Sequence, residues 1–261
     1  MRVKVINPNT TWSMTETIGA AARGVAAPGV EIVAVSPQHG PASIECHYDE
    51  AMACVGLLEE VRKGESEGVD AYVIACFGDP GLDAARELAR GPVLGIAEAA
   101  MRAASFLATG FSVVTTLART VVIAEHLVDK YGVRGHCRRV RACDISVLEL
   151  DNPLSNAYQS ILAECRHALK EDRSGAIVLG CAGMADLCER LSGELGVPVI
   201  DGVAAAVVMA EALVRMKLFT SKVGDYAWPL PKAYVGMLGQ FAPRCCWSQC
   251  SGLGMRLRAR E

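Results

Sequence analysis

Short apolar runs alternate with longer stretches in which apolar residues return every three or four positions, from the first residues to about Phe219. The run "VKVI" closes on the turn and capping residues "NPNTT". The segment 14–25 then carries a small-residue face at helical spacing, which predicts a strand followed by a helix. The same order returns with "EIVAVS" before a helix at 49–62, "AYVIAC" before one at 82–89 and "PVLGI" before one at 98–108. Farther on, "FSVVTT" precedes a helix at 119–131 and a strand at 139–146 precedes one at 157–171. "AIVLGC" then leads into a helix at 184–195, and "VPVID" into a long one at 203–219. Strands that alternate with helices pair in parallel and are covered on both faces, so the pattern predicts an α/β protein.

The two halves also match each other. "AYVIAC" with "GPVLGIAEAA" parallels "AIVLGC" with "GVPVIDGVAAA"; Cys76 and Cys181 stand 105 positions apart, and Pro92 and Pro198 follow them by 16 and 17. This repeat predicts two similar lobes, 1–100 plus 207–241 and 101–206. The long helices near 98 and 203 follow the last strand of each half, so each is expected to carry the chain across to the other lobe. The remainder, 242–261, departs in its Gly, Ser and Arg content and is expected to be a flexible tail. Ligands of open parallel sheets sit outside the carboxyl ends of the strands, so two such ends facing each other would enclose a cleft.

Composition narrows the picture. With 261 residues, 51% hydrophobic and 21% charged, the chain is long and apolar enough to bury a real core. A net charge of −3 leaves no electrostatic footprint for nucleic acid. The start "MRVKVINPNT" has no signal-peptide core and no apolar run is long enough to span a membrane, so a cytoplasmic protein without a membrane partner is expected. Eleven cysteines in such a chain are expected to be free thiols rather than a disulfide framework. None of them pairs at zinc-ligand spacing, so no metal is expected, and the cluster "RCCWSQC" at 244–250 is assigned no chemistry.

The repeated corner is where chemistry concentrates. Cys76 ends a hydrophobic strand, and Asp79 and Pro80 read as the N-cap and first residue of the next helix, which would place the thiol near a helix start and favour its thiolate. Cys181 has a similar corner in "GCAGMADL", where Gly180 and Gly183 leave room for a ligand beside the backbone. Thiols on opposite walls of a cleft can remove a proton from one face of a tetrahedral carbon and deliver one to the other, inverting the centre. The carbanion formed on the way must be spread onto a neighbouring oxygen. Backbone N–H groups after the two cysteines and the hydroxyls of Thr10, Ser43, Thr115 and Thr116 are candidate donors to it. A strand-end cysteine is more often a small buried hydrophobe, and Cys54, Cys143, Cys165 and Cys188 are read as core or helix residues. The equivalent places of Cys76 and Cys181 in the repeat set these two apart.

"INPNT" at the start, "GPASIE" at 40–45, "ACFGDPGL" around Cys76, "SVVTT" at 112–116 and "GCAGM" around Cys181 together resemble the aspartate/glutamate racemase superfamily, most closely its hydantoin and allantoin racemases. The resemblance runs from Met1 to about Phe241. It implies two Rossmann-like lobes with the active site between them, a cofactor-independent racemase, a small-molecule hydantoin as substrate, and a homo-oligomer. It gives Cys76 and Cys181 the role of acid/base pair. It also places Asn9, Ser43, Ile44, Thr115 and Thr116 in the substrate pocket, with Phe77, Gly78, Gly180, Ala182 and Gly183 as pocket backbone beside the cysteines. Cys46 stands where relatives commonly carry glycine, and the segment from Arg244 has no counterpart in the family.

A hydantoin carries an acidic hydrogen at C5 beside a carbonyl, so a thiolate can remove it without a cofactor. An amino-acid racemase must also hold an α-carboxylate, and no arginine or lysine adjoins either cysteine or "INPNT". Arg119 reads as a solvated residue of a first helical turn, and His39 and His47 as surface residues flanking the "GPASIE" loop. No lysine stands in a phosphate-cradling context that would hold pyridoxal phosphate. The competing readings are an aspartate or glutamate racemase, and a two-lobed sensor or dithiol switch without catalysis.

Overall fold

The computed structural model describes residues 1–152 and 154–243, so the predicted tail lies outside the described residues from Arg244 onward. Strands β1 (Arg2–Ile6), β2 (Glu31–Val35), β3 (Ala71–Ile74) and β4 (Val93–Gly95) form one parallel sheet in the order β2-β1-β3-β4. Strands β5 (Phe111–Thr115), β6 (Cys137–Ala142), β7 (Ala176–Gly180) and β8 (Val199–Ile200) repeat it as β6-β5-β7-β8. The helices between them are α1 (Trp12–Val25), α2 (His47–Glu67), α3 (Leu82–Leu88), α4 (Ile96–Leu107), α5 (Ala118–Lys130), α6 (Ala157–Glu171), α7 (Cys188–Leu195) and α8 (Gly202–Arg215). Two parallel sheets flanked by helices are the α/β architecture that the alternating pattern predicts. No helix among the described residues is long and apolar enough to cross a membrane.

The central strands explain their own sequences. β3, β5 and β7 are buried at every position, which is why they read as unbroken apolar runs. β1 carries Lys4 in the same buried layer. Its Nζ donates to the Glu60 carbonyl at 3.0 Å and pairs with the Glu60 carboxylate at 3.0 Å, fastening α2 to the sheet. A buried ammonium is tolerable only with partners of this kind.

The last helix of each half packs across the molecule. Ala97, Ala100, Met101 and Ala104 of α4 join Phe111, Val113, Ala176 and Val178 of the second sheet in one cluster. Val203, Ala206, Val207 and Ala210 of α8 join Val3, Val5, Ala71 and Val73 of the first. Beyond α8 the chain stays on the first sheet's side: Thr220 N–H and Oγ1 donate to the carbonyls of Arg90 and Gly91, and Lys222 Nζ donates to those of Arg86 and Glu87.

Three element boundaries differ from the sequence expectation for local reasons. The strand expected at 139–146 ends at Ala142, because Asp144 turns left-handed (φ 53°) and its carboxylate accepts the Ala118 N–H at the start of α5. The helix expected at 184–195 begins as a 3₁₀ turn, Ala182–Leu187, before α7. The long helix at 203–219 stops at Arg215, where Lys217 (φ 60°) turns the chain and Leu218 N–H closes onto the Leu213 carbonyl.

Where α4 and α8 cross, a side-chain carbon on Gly202 would lie 2.6 Å from the Ile96 carbonyl oxygen, whereas one on Gly193 of α7 would meet nothing within 4 Å. Urea unfolding should therefore show opposite signs: Gly202→Ala destabilised by about 1–3 kcal/mol through overpacking, and Gly193→Ala stabilised by about 0.5–1 kcal/mol through lower unfolded-state entropy.

Candidate active site

Both cysteines sit just past the carboxyl end of the third strand in their sheet's order, Cys76 two residues after β3 and Cys181 one after β7. Each then closes the same turn. Asp79 N–H donates to the Cys76 carbonyl at 3.0 Å, and Met184 N–H to the Cys181 carbonyl at 3.1 Å. The two corners open onto one cavity, lined from the first lobe by Asn7, Asn9, Ile44, Glu50, Cys76 and Gly78 among others. From the second it is lined chiefly by Thr115, Thr116, Thr120, Val147, Cys181 and Gly183. Glu45 Oε1 accepts the Val147 N–H at 2.8 Å, joining the loop of Ile44 to the other lobe.

Of the residues expected in the pocket, Asn9, Ile44, Phe77, Gly78, Thr115, Thr116, Gly180, Ala182 and Gly183 line this cavity with the two cysteines. Thr10 and Ser43 do not. Thr10 turns its hydroxyl to the Pro41 carbonyl at 3.2 Å, holding the β1–α1 loop against the "GPASIE" loop, and from that loop it is Ile44 that reaches the cavity. Thr115 lines the wall, but its hydroxyl donates to the Gly180 carbonyl at 3.2 Å, fixing the strand end that presents Cys181. His39 and His47 are exposed and Arg119 is solvated in the first turn of α5; none of the three lines the cavity.

Asn9 is held in one orientation. Its Oδ1 accepts from Asn7 Nδ2 and from Thr11 N–H, both at 2.9 Å, while among the described residues its own Nδ2 meets only the weak acceptor Met14 Sδ, at 3.5 Å. An amide N–H is thereby presented at the cavity for an incoming carbonyl oxygen. Asn7 does this work unnoticed in the sequence, although it stands in the same "INPNT" run. Glu50, Thr120 and Val147 were also missed. They come from a helix start, a helix turn and a 3₁₀ segment whose aim only the packing decides.

The corner after Cys76 corrects one expectation. Asp79 does not cap α3, which starts at Leu82 after Gly81. Asp79 takes a left-handed backbone (φ 45°), and its carboxylate accepts Ala97 N–H at 3.1 Å and Glu98 N–H at 3.0 Å, capping α4. Tyr131 of the second lobe adds its hydroxyl at 2.6 Å. In the second half Asp201 caps α8 from the ordinary position, accepting from Val203 and Ala204 N–H. Its counterpart in the repeat is Gly95, and a side chain there would fill the space of the Asp79 carboxylate.

Cys76 is therefore not at a helix start, and its thiolate is not favoured. Burial pushes the thiol far up. The Gly78 N–H directed at the sulfur opposes this, while the neighbouring Cys181, Glu50 and Asp79 push it up further. Charge on Cys181 raises the Cys76 thiol, so ionising one sulfur disfavours ionising the other. Among the described residues no two of the eight cysteines form a disulfide. No group of three or more His, Cys, Asp or Glu among those residues could hold a metal ion.

A family model described as Asp/Glu/Hydantoin racemase matches residues 3–210. The chain is 50% identical over 241 residues to a hydantoin racemase of Pseudomonas sp. (strain NS671), covering 92% of this chain and 97% of that one. It is 52% identical over 236 residues to a hydantoin racemase of Rhizobium meliloti, covering 90% and 98%. The solved structure of the allantoin racemase from Klebsiella pneumoniae superposes with a TM-score of 0.91 at 59% identity, over 94% of this chain and all (100%) of that one.

Burial raises the Asp79 carboxyl to about 6, against the hydrogen bonds from Tyr131, Ala97 and Glu98. With the folded value above the unfolded one, its contribution to stability is complete below about pH 4 and is lost as pH rises through about 6. In urea unfolding, the stability of wild type relative to Asp79→Asn should fall by up to about 3 kcal/mol between pH 4 and pH 7 and then level off. A difference independent of pH would mean that Asp79 does not titrate in this range.

Proposed function

Because this chain belongs to the Asp/Glu/Hydantoin racemase family, we propose that it interconverts the enantiomers of 5-substituted hydantoins, allantoin or 5-alkyl and 5-aryl members, by two-base proton transfer at C5. The observation that carries this reading is the pair Cys76 and Cys181, brought to one cavity from equivalent corners of two repeated sheets. The similarity to hydantoin and allantoin racemases over nearly the whole described chain supports the substrate class.

The mechanism follows from the residues. One sulfur, as thiolate, takes the C5 proton; the electron pair moves into the adjacent carbonyl as an enolate. The other sulfur, as thiol, returns a proton to the opposite face, and the roles exchange for the other enantiomer. The repulsion by which charge on Cys181 raises the Cys76 thiol favours this division. Asn9 Nδ2 and the backbone N–H groups of the two corners are donors for the enolate oxygen, and a buried site makes such donors count for more. A thiolate raised by burial is also a stronger base once formed, which suits a carbon acid. The scheme requires no cofactor.

Polarimetry with both enantiomers of allantoin and of a 5-benzyl hydantoin tests the activity. In deuterium oxide the inverted product should carry label at C5. Cys76→Ser and Cys181→Ser should each lower racemisation by at least about 10³-fold, because each removes one half of the proton relay. Racemisation retained in either single variant would refute the two-base scheme.

A further inference from the structure

Glu50 contributes the only formally charged side chain among the described residues that line the cavity. It stands in the first turn of α2 on the Cys76 wall, with its side chain 18% exposed. Its one ion-pair partner within 4 Å among the described residues is the exposed His47, charged only when protonated, whose Nδ1 lies 3.5 Å from Oε2. The other oxygen, Oε1, lies against Gly78, where any side chain would take its space. The carboxyl group thus reaches the backbone that also directs an N–H at the Cys76 sulfur. Burial pushes this carboxyl up, which His47 opposes, so placing it here is costly.

The charge has a sign that decides between substrates. An ionised carboxylate only accepts hydrogen bonds. A free amino acid would bring a second carboxylate into a cavity with no lysine or arginine among its described lining residues, and like charges repel strongly at low dielectric. A hydantoin is uncharged and carries N–H donors at N1 and N3, on either side of its C2 carbonyl.

We propose that Glu50 is the specificity-determining residue of this site, accepting a hydrogen bond from a ring N–H of the hydantoin and excluding substrates that carry a carboxylate. The inference rests on the racemase reading above and adds to it the group that selects and orients the ring.

Methylated substrates test it. Racemisation of a 5-benzyl hydantoin and of its N1-methyl and N3-methyl derivatives is measured for wild type, Glu50→Gln and Glu50→Ala, with thermal unfolding as the check of folding. In wild type, methylation at one nitrogen should lower kcat/KM by about 10- to 100-fold, the range for a hydrogen bond to a charged group. Glu50→Ala should lose a similar factor with the parent hydantoin, mainly through KM, and lose little more on methylation at that nitrogen. Glu50→Gln keeps the side-chain volume and one acceptor oxygen but not the charge, so its loss on methylation should fall to that of a neutral hydrogen bond, about 2- to 10-fold, and it carries the test should Glu50→Ala fail to fold. The inference is overturned if both variants keep wild-type kcat/KM, or if all three enzymes lose the same factor on methylation at each nitrogen. A wild-type enzyme silent on every unmethylated hydantoin would instead overturn the proposed activity, and this inference with it.

Discussion

The carboxylate of Asp79 is the point on which the site's geometry turns. It receives two backbone N–H groups from the start of α4 and the hydroxyl of Tyr131, and it is 4% exposed. Three parts of the molecule meet there: the corner that presents Cys76, the helix that carries the chain to the second sheet, and the end of α5 in the second lobe. A carboxylate without partners would be too costly at such a depth, so each donor is needed and each fixes the position of the others. The left-handed backbone at Asp79 persists because this surrounding leaves it no alternative.

What that junction holds in place is a cavity with Cys76 on one wall and Cys181 on the other. Burial disfavours any charge there, and the coupling between the sulfurs disfavours a second one more than the first. A cavity of this kind suits a reaction that moves one proton at a time between weakly acidic partners. Several of its polar groups are committed to holding its walls. Thr115 secures the strand end before Cys181, Asn7 holds Asn9, and Glu45 joins the loop of Ile44 to the other lobe. The hydroxyls that look interchangeable in the sequence therefore divide into those that build the cavity and those that face it.

Much of this was legible in the sequence. Unbroken apolar runs identified β3, β5 and β7, since strands buried on both faces need no alternation, and the repeat identified the two cysteines. The strand order and the shared cavity agree with that reading of the pattern. What escaped was decided by contacts distant in sequence. Asp79 next to Pro80 has the form of a cap for α3, and only the approach of α4, allowed by the missing side chain at Gly95, redirects it. Lys4 sits in a strand where a lysine argues against burial until Glu60 is seen opposite it. Glu50 reads as an ordinary acidic residue at a helix start, and nothing in its neighbours tells which way it points.

The exchange of final helices bears on ancestry. Because α4 completes the second sheet's layer and α8 the first's, neither half has a full core of its own. A forerunner with a single half would have had to lend its last helix to a twin, as swapped dimers do. Two halves in one polypeptide are free to differ, and the differences here, Asp79 against Asp201 and a carboxylate on one wall alone, are of a kind that a pair of identical copies cannot have.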